Sequence, residues 1–152
     1  MRILGIDLGS KRIGLALSDE TGALASGFGT YQRRTQPQDL EYFRTLVEDQ
    51  NISTIVLGMP FNMNGSLGPK ADESLLFKAE LERLVKIPVE LFDERLTSVE
   101  AERVLIEANL SRKRRKEILD QQAAILILQG FLDQRRFQNS NNQPGIPLDN
   151  AL

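Results

Sequence analysis

The chain has 152 residues, of which 41% are hydrophobic and 26% are charged, and it contains no Cys, no His and no Trp. This length and composition are typical of one globular domain that buries a sizeable core. The missing Cys and His exclude a disulfide scaffold, a thiolate or imidazole metal site and a Ser-His-Asp triad. Any catalysis must therefore depend on carboxylates, hydroxyls, Lys, Arg or a metal ion held by oxygen atoms.

The charge balance gives little support for a protein with positive potential over its whole surface. Nineteen Lys and Arg against twenty-one Asp and Glu give a formal charge of −2, so nucleic-acid binding needs a local basic patch. No apolar run reaches the roughly 18 residues of a membrane-spanning helix. Residues 1–7 lack the apolar stretch of a signal peptide. We expect a soluble, cytoplasmic protein with no membrane partner.

Hydrophobic patterning predicts the element order β-β-β-α-β-α-β-α-α. Strands are predicted near residues 3–6, 13–17, 23–31, 52–57 and 88–92, and helices after Pro37, over 71–85 and from about 111 to 136. A capping-box pattern at 97–100 predicts one more helix. The predicted buried positions of the helix over 71–85 are Leu75, Leu76, Ala79 and Leu84.

These elements predict an α/β fold with a mixed five-stranded sheet flanked by helices. The first three strands form an antiparallel meander, and the first, fourth and fifth strands run parallel through right-handed crossovers. Residues 1–137 are expected to form this domain. Residues 138–152 are rich in Asn, Gln and Pro and are expected to form a flexible C-terminal tail.

Acidic residues follow two strands that end at the same edge of this predicted sheet. Asp7 ends the first strand, and Asp93 and Glu94 follow the fifth strand. Ligands tend to bind along the carboxyl edge of such sheets. A carboxylate after a buried strand is costly unless it accepts hydrogen bonds or faces a cation, although Asp7 could simply cap a turn through Gly9 or Ser10.

Asp120 is a third candidate because it shares a helical stripe with Ala124, Ile127 and Phe131, which should face the sheet. The alternative is an Asp that the helix dipole favours, or that pairs with the basic residues 115–116. Three carboxylates are hard ligands that suit Mg²⁺ or Mn²⁺. Two such ions can act on both sides of a phosphodiester displacement.

Glycine and basic residues near these acids favour a phosphate-bearing substrate. Gly5, Gly9 and Gly14 surround Ser10-Lys11-Arg12 and allow close backbone approach beside positive charge, although glycines are also common in tight hairpins. Five successive cations stand at a helix start, where the helix dipole disfavours them, so phosphate contact is favoured over a plain solvated surface. These five cations are Arg112, Lys113, Arg114, Arg115 and Lys116.

A polar loop around Asn64 either closes over substrate or simply joins a strand to a helix. The chain has only seven Phe and two Tyr. This number gives no evident aromatic-rich surface for stacking unpaired bases. The choice between RNA and DNA therefore stays open at the level of composition.

Four blocks, in order, resemble the YqgF/RuvX family of pre-16S rRNA nucleases, which are also described as Holliday junction resolvase-like proteins. The blocks are residues 5–14 (GIDLGSKRIG), residues 58–60 with 64–66, residues 93–98 (DERLTS), and Asp120 with residues 123–124 and 127–129. Together they extend over about residues 1–136. Four blocks in order with suitable spacing are a specific signal, although any one alone is weak.

The resemblance implies an RNase H-like fold and metal-dependent hydrolysis of nucleic-acid phosphodiesters, at the 5′ end of pre-16S rRNA in ribosome biogenesis. It implies that Asp7, Glu94 and Asp120 are the catalytic and metal-binding acids, with Mg²⁺ or Mn²⁺ as cofactor. Asp93 is the alternative to Glu94, because period-two alternation lets only one of them face the metals. Residues that differ from the family's usual pattern are Met59 and Phe61.

The residues expected to contact nucleic acid are Lys11, Arg12, Asn64, Arg95, Thr97 and the basic run from Arg112 to Lys116. The expected partners are structured RNA such as pre-rRNA, or branched DNA, together with ribosomal particles. The expected oligomeric state is a monomer or a homodimer.

Three other functions stay open. One is a Holliday junction resolvase-type DNA endonuclease, and another is a non-catalytic nucleic-acid or ribosome-assembly module. The third is a nucleotide-binding phosphotransferase, because residues 5–9 (GIDLG) also resemble the opening of actin-like ATPases and sugar kinases. Those proteins place ATP between two such domains, whereas this chain has length for one.

Overall fold

The computed structural model describes residues 1–97 and 111–142, with the backbone alone for residues 112–117 and 142. Five strands are present: β1 (Arg2–Leu8), β2 (Arg12–Ser18), β3 (Ala25–Gln32), β4 (Ile52–Met59) and β5 (Val89–Asp93). The helices are α1 (Gln36–Asp49), α2 (Pro69–Val85) and α3 (Arg112–Asn142), and a 3₁₀ turn covers Glu94–Leu96.

The strands form one sheet in the order β3-β2-β1-β4-β5. β1, β2 and β3 pair as an antiparallel meander, whereas β1, β4 and β5 run parallel. This arrangement confirms the predicted mixed sheet. The carboxyl ends of β1, β4 and β5 therefore lie along one edge.

The two faces of the sheet are covered by different helices. Leu4 and Ile6 of β1 pack with Phe43 of α1 and Phe77 of α2 on one face. Ile3, which alternates with them, packs with the buried side of α3 on the other face. Because side chains alternate along a strand, the odd positions of β1 face α3.

The buried face of α2 differs from the prediction. Leu76 is 68% exposed and Leu84 is 37% exposed, while Phe77 is fully buried. Phe77 makes an edge-to-face contact with Phe43 of α1, with 5.8 Å between ring centroids. The largest apolar side chain of the helix therefore sets its rotation. The buried positions are Ala71, Ser74, Phe77 and Leu81.

Helix α3 continues to Asn142, five residues into the predicted tail. Asn, Gln and Ser are only moderately unfavourable in a helix, and residues 137–141 extend it as an exposed end. The rest of the predicted tail, residues 143–152, lies outside the described residues. So does the helix predicted after Thr97, at residues 98–110. Within the described ranges no helix combines the length and apolarity that a membrane span requires.

Candidate active site

Asp7 is a buried carboxyl-bearing residue near the carboxyl end of β1. It is 9% exposed and pairs with Gly14 of β2 in the antiparallel ladder. Its odd position puts it on the α3 face of the sheet, with Ile3 and Gly5. The predicted first acid thus lies at the edge where the parallel strands end.

Gly14 brings Asp120 next to Asp7. A Cβ atom at Gly14 would collide with the backbone carbonyl of Asp120. Only glycine therefore allows the α3 backbone to cross β2 at this point. Since Gly14 is the ladder partner of Asp7, the two acids lie on the same face and in neighbouring positions.

Asp120 accepts a hydrogen bond from Arg12, with 2.8 Å between Nε and Oδ2. Both side chains are mostly buried, at 28% and 19% exposure. Asp120 continues the stripe of Ala124 and Ile127, which are fully buried, as predicted. Arg12, an expected phosphate contact, thus pairs with one of the candidate acids.

Glu94 lies on this same α3 face, although it belongs to the 3₁₀ turn after β5. Its side chain passes over Gly58 of β4, so that a Cβ there would lie 3.1 Å from Oε1 and 3.2 Å from Cγ of Glu94. The same Cβ would also lie 2.5 Å from Cδ1 of Ile127, which belongs to the α3 side of the core. Gly58 therefore leaves the room that Glu94 occupies.

Asp93, the alternative to Glu94, is engaged by Arg95. It accepts hydrogen bonds from the Arg95 backbone N–H at 2.9 Å and from the guanidinium Nη2 at 2.6 Å. These bonds, with the nearby positive charge, hold the pKa of Asp93 below its usual value. The local contacts thus give Asp93 a structural partner at the rim of the site.

The three acids share a face but do not form a ready-made cation cage. Among the described residues no group of three or more acids, His or Cys is arranged to hold a metal ion. The pairing of Asp120 with Arg12 is one physical reason, because it directs a carboxylate oxygen to a cation of the chain itself.

The loop after β4 lies against Arg95. The guanidinium carbon of Arg95 is 5.2 Å from the ring centroid of Phe61, and Nη1 donates to the Met63 carbonyl at 3.5 Å. Asn64 accepts hydrogen bonds through Oδ1 from the backbone N–H and the hydroxyl of Ser66, at 3.0 and 2.6 Å. Arg95 and Asn64, both expected to contact nucleic acid, therefore shape one exposed rim.

The other expected nucleic-acid contacts belong to three separate segments of the chain. Lys11 is exposed in the β1–β2 turn, and the Thr97 hydroxyl donates to the Glu94 carbonyl at 2.9 Å. Residues 112–116 form the first turns of α3, and their side chains lie outside the described part.

The glycines of the first block make room for the chain's own backbone. A Cβ at Gly5 would lie 2.7 Å from Cβ of Leu128 in α3, and one at Gly9 would collide with the Arg12 carbonyl. These glycines make room for α3 and for the β1–β2 turn. Close approach of a substrate phosphate to them stays a prediction.

Sequence reasoning missed Arg33, which ties the β1–β2 turn to two helices. Nη1 of Arg33 donates to the Gly9 carbonyl at 2.9 Å and to Glu73 of α2 at 3.1 Å, and Nε donates to Asp39 of α1 at 3.3 Å. Asp39 is 1% exposed. Its helical spacing with buried Phe43 is the signal that could have found it, since a carboxylate on an apolar stripe needs partners.

Residues 1–134 match the sequence profile of the RuvX family, described as Holliday junction resolvase. A protein of Syntrophomonas wolfei named "Putative pre-16S rRNA nuclease" is 53% identical over 133 residues, which are 88% of this chain and 94% of that protein. A protein of the same name from Halalkalibacterium halodurans is 46% identical over 140 residues, which are 91% of this chain and 100% of that protein.

Among solved structures, T. thermophilus RuvC in complex with Holliday junction substrate superposes with a TM-score of 0.60 at 15% sequence identity. The match covers 91% of this chain and 96% of that chain. This likeness concerns the fold, and it confirms the predicted RNase H-like class.

Proposed function

This chain belongs to the RuvX family, and from that membership we propose that it is a cytoplasmic nuclease that hydrolyses phosphodiester bonds at the 5′ end of pre-16S rRNA. One observation carries the proposal. Three acids from distant parts of the sequence, Asp7, Glu94 and Asp120, share one face at the carboxyl edge of the sheet. Acids gathered at such an edge are typical of a site that acts on a ligand.

We include Mg²⁺ or Mn²⁺ in the proposal because carboxylate oxygens suit hard divalent cations. Asp7, Glu94 and Asp120 would hold the metal, with Asp93 as the alternative to Glu94. In the two-ion form of this chemistry, bound ions acidify the attacking water and stabilise the leaving oxygen. This chemistry suits a chain without His, because it needs no imidazole base.

Arg12 is proposed to bind the substrate backbone. A guanidinium binds a phosphate through two parallel hydrogen bonds, and it does so better than the single carboxylate contact that Arg12 makes with Asp120. Substrate phosphate and Asp120 therefore compete for the same cation. Exposed Lys11 adds positive charge at this edge, whereas Arg95 is already paired with Asp93. The run at 112–116 is proposed to hold a further part of the RNA.

Cleavage of two substrates by the purified protein tests the proposal. A pre-16S RNA fragment and a four-way DNA junction are each incubated with Mg²⁺, with Mn²⁺ and with a chelator. We expect metal-dependent cleavage of the RNA. Cleavage of the junction alone would support a resolvase-type DNA endonuclease, the activity in the family's description. Binding of RNA without cleavage of either substrate would support a non-catalytic assembly module.

A matched pair of variants distinguishes a site residue from a general charge effect. Glu94→Gln removes a proposed metal ligand from the turn after β5, and Glu90→Gln removes an exposed carboxylate from β5 itself. We expect Glu94→Gln to lose cleavage and Glu90→Gln to keep it. Equal activity of the two variants would remove Glu94 from the proposed site.

A further inference from the structure

A surface pocket of about 550 Å³ lies between edge strand β3 and helix α1, on the sheet face opposite to α3. Ligand pockets in proteins have volumes of about 300–1,000 Å³, so this pocket can take a group the size of a nucleotide. The residues that line it are Tyr31, Arg34, Gln38, Glu41, Tyr42 and Thr45.

Both tyrosines of the chain stand in this pocket as one stacked pair. Their ring centroids are 4.1 Å apart and the ring planes differ by 19°. Both residues are half-buried, and burial raises the pKa of each phenol, so both rings stay neutral at physiological pH. The Tyr31 hydroxyl donates to Oδ1 of buried Asp39 at 2.8 Å. The pair is therefore a fixed aromatic platform rather than two mobile rings.

The polar lining provides one cation for a ligand. Arg34 is exposed, and its side chain makes no ion pair within the part of the chain that the structure describes. Glu41 accepts two hydrogen bonds from Nε of Arg44, at 3.1 and 3.0 Å, so its carboxylate is already paired with a cation of the chain. Gln38 uses its side-chain oxygen in the N-terminal cap of α1. An anion that enters the pocket thus meets the positive charge of Arg34.

We propose that this pocket binds an unpaired base of single-stranded RNA on the sheet face opposite to the cleavage site, with the base stacked on the tyrosines and the adjacent phosphate paired with Arg34. The inference rests on the proposed nuclease function. Asp7, Gly14 and Thr30 form one row across β1, β2 and β3. The backbone of Thr30, which precedes Tyr31, therefore lies two strand spacings, about 10 Å, from that of Asp7, while the side chains of Tyr31 and Asp7 lie on opposite faces of the sheet.

A hydrogen-bond network also links the pocket to the candidate active site. Asp39 accepts from Tyr31 and from Arg33, and the same Arg33 donates to the Gly9 carbonyl in the turn that follows Asp7. The platform and the turn are thus held by one buried carboxylate and one guanidinium. An RNA strand that passes around the edge strand would meet both sites in a fixed relation.

Intrinsic fluorescence tests the proposal directly, because the chain has two Tyr and no Trp. All tyrosine emission comes from this pocket. The full chain is titrated with a short oligoadenylate RNA in the presence of a chelator, and the tyrosine lifetime is recorded so that RNA absorbance does not interfere. We expect saturable quenching by the single strand and weaker quenching by the same strand annealed to its complement.

Variants of the lining separate stacking from a structural role. Stacking of a base on an aromatic ring predicts that Tyr42→Leu raises the Kd for the labelled oligonucleotide about 5- to 160-fold, whereas Tyr42→Phe keeps the wild-type Kd. Arg34→Gln should weaken binding and lower the salt dependence by about one phosphate contact. Circular dichroism melts confirm that each variant is folded.

The absence of quenching, or equal Kd values for Tyr42→Leu and the wild-type chain, would overturn the proposal. So would a Tyr42→Phe variant that binds as weakly as Tyr42→Leu, because its ring is intact. Quenching without cleavage of any substrate would support RNA binding in the pocket and reject the nuclease function. Normal cleavage without quenching would reject the pocket alone.

Discussion

A single methyl group at Gly58 should damage the candidate site more than the fold. A Cβ there would lie 2.5 Å from Cδ1 of Ile127 and 3.1 Å from Oε1 of Glu94, so both side chains have to move. Overpacking of this kind costs about 1–3 kcal/mol. For a chain of this size, each kcal/mol lowers Tm by about 2–4 °C. A misplacement of about 1 Å in a catalytic group reduces activity about 100-fold, so we expect Gly58→Ala to lose about 10- to 100-fold in kcat/KM.

Gly130→Ala is the matched control for this variant. A Cβ at Gly130 would lie 2.7 Å from Cζ of Phe92, in the same core cluster, but it meets no acid. Thermal unfolding and kcat/KM are measured for both variants on the substrate that the wild-type chain cleaves. We expect similar or smaller destabilisation in Gly130→Ala with activity near wild type. The reasoning fails if Gly58→Ala keeps full activity, or if both variants lose activity in proportion to stability.

Three further predictions concern the buried carboxylate and the ion pair at the site. Asp39→Ala leaves Tyr31 and Arg33 without their buried acceptor. We expect urea unfolding to show a loss of about 3 kcal/mol in the free energy of unfolding. A loss under about 1 kcal/mol would contradict a stabilising role of this hydrogen-bond network. Burial, and then the bond to Asp39, raises the pKa of Tyr31 above 10.0. The neutral Tyr31 phenol therefore stabilises the fold fully below pH 10.0, and this stabilisation disappears as the pH rises through the raised pKa. Tyrosinate absorbance should show a lower pKa in Asp39→Asn, and an unchanged titration would count against the bond. Arg12→Gln leaves the Asp120 carboxylate without its cation. The affinity of the protein for Mn²⁺, measured by electron paramagnetic resonance, should therefore rise. An unchanged affinity would mean that the Arg12–Asp120 ion pair does not restrain Asp120.

The positions of the acids follow from local pattern, because a carboxylate on an apolar stripe stands out in a sequence. Asp7 ends a buried strand, and Asp120 shares spacing with Ala124 and Ile127, so the face of each acid was predictable. Asp39 is likewise a carboxylate on an apolar helical stripe, because it stands four residues before buried Phe43. Its partners were not predictable, because they come from β3 and from the segment between β3 and α1.

Contacts that depend on tertiary packing were beyond sequence reasoning. Arg12 and Asp120 are 108 residues apart, and their pairing depends on how α3 crosses β2 at Gly14. The two tyrosines were too few to suggest a stacking surface, yet the fold places both in one pocket. Composition counts aromatic residues, whereas a platform depends on where the chain brings them together.

The most direct test of the central claim maps the 5′ ends of a pre-16S RNA fragment after incubation with the wild-type chain or with Asp7→Asn, in Mg²⁺ or Mn²⁺. Asn has nearly the same shape as Asp, but its neutral amide oxygen is a weaker ligand for a divalent cation than a carboxylate oxygen. We predict that the wild-type chain produces a new 5′ end, and that Asp7→Asn binds the RNA equally well without cutting it. Cleavage by Asp7→Asn at the wild-type rate would contradict a nuclease site built on this acid.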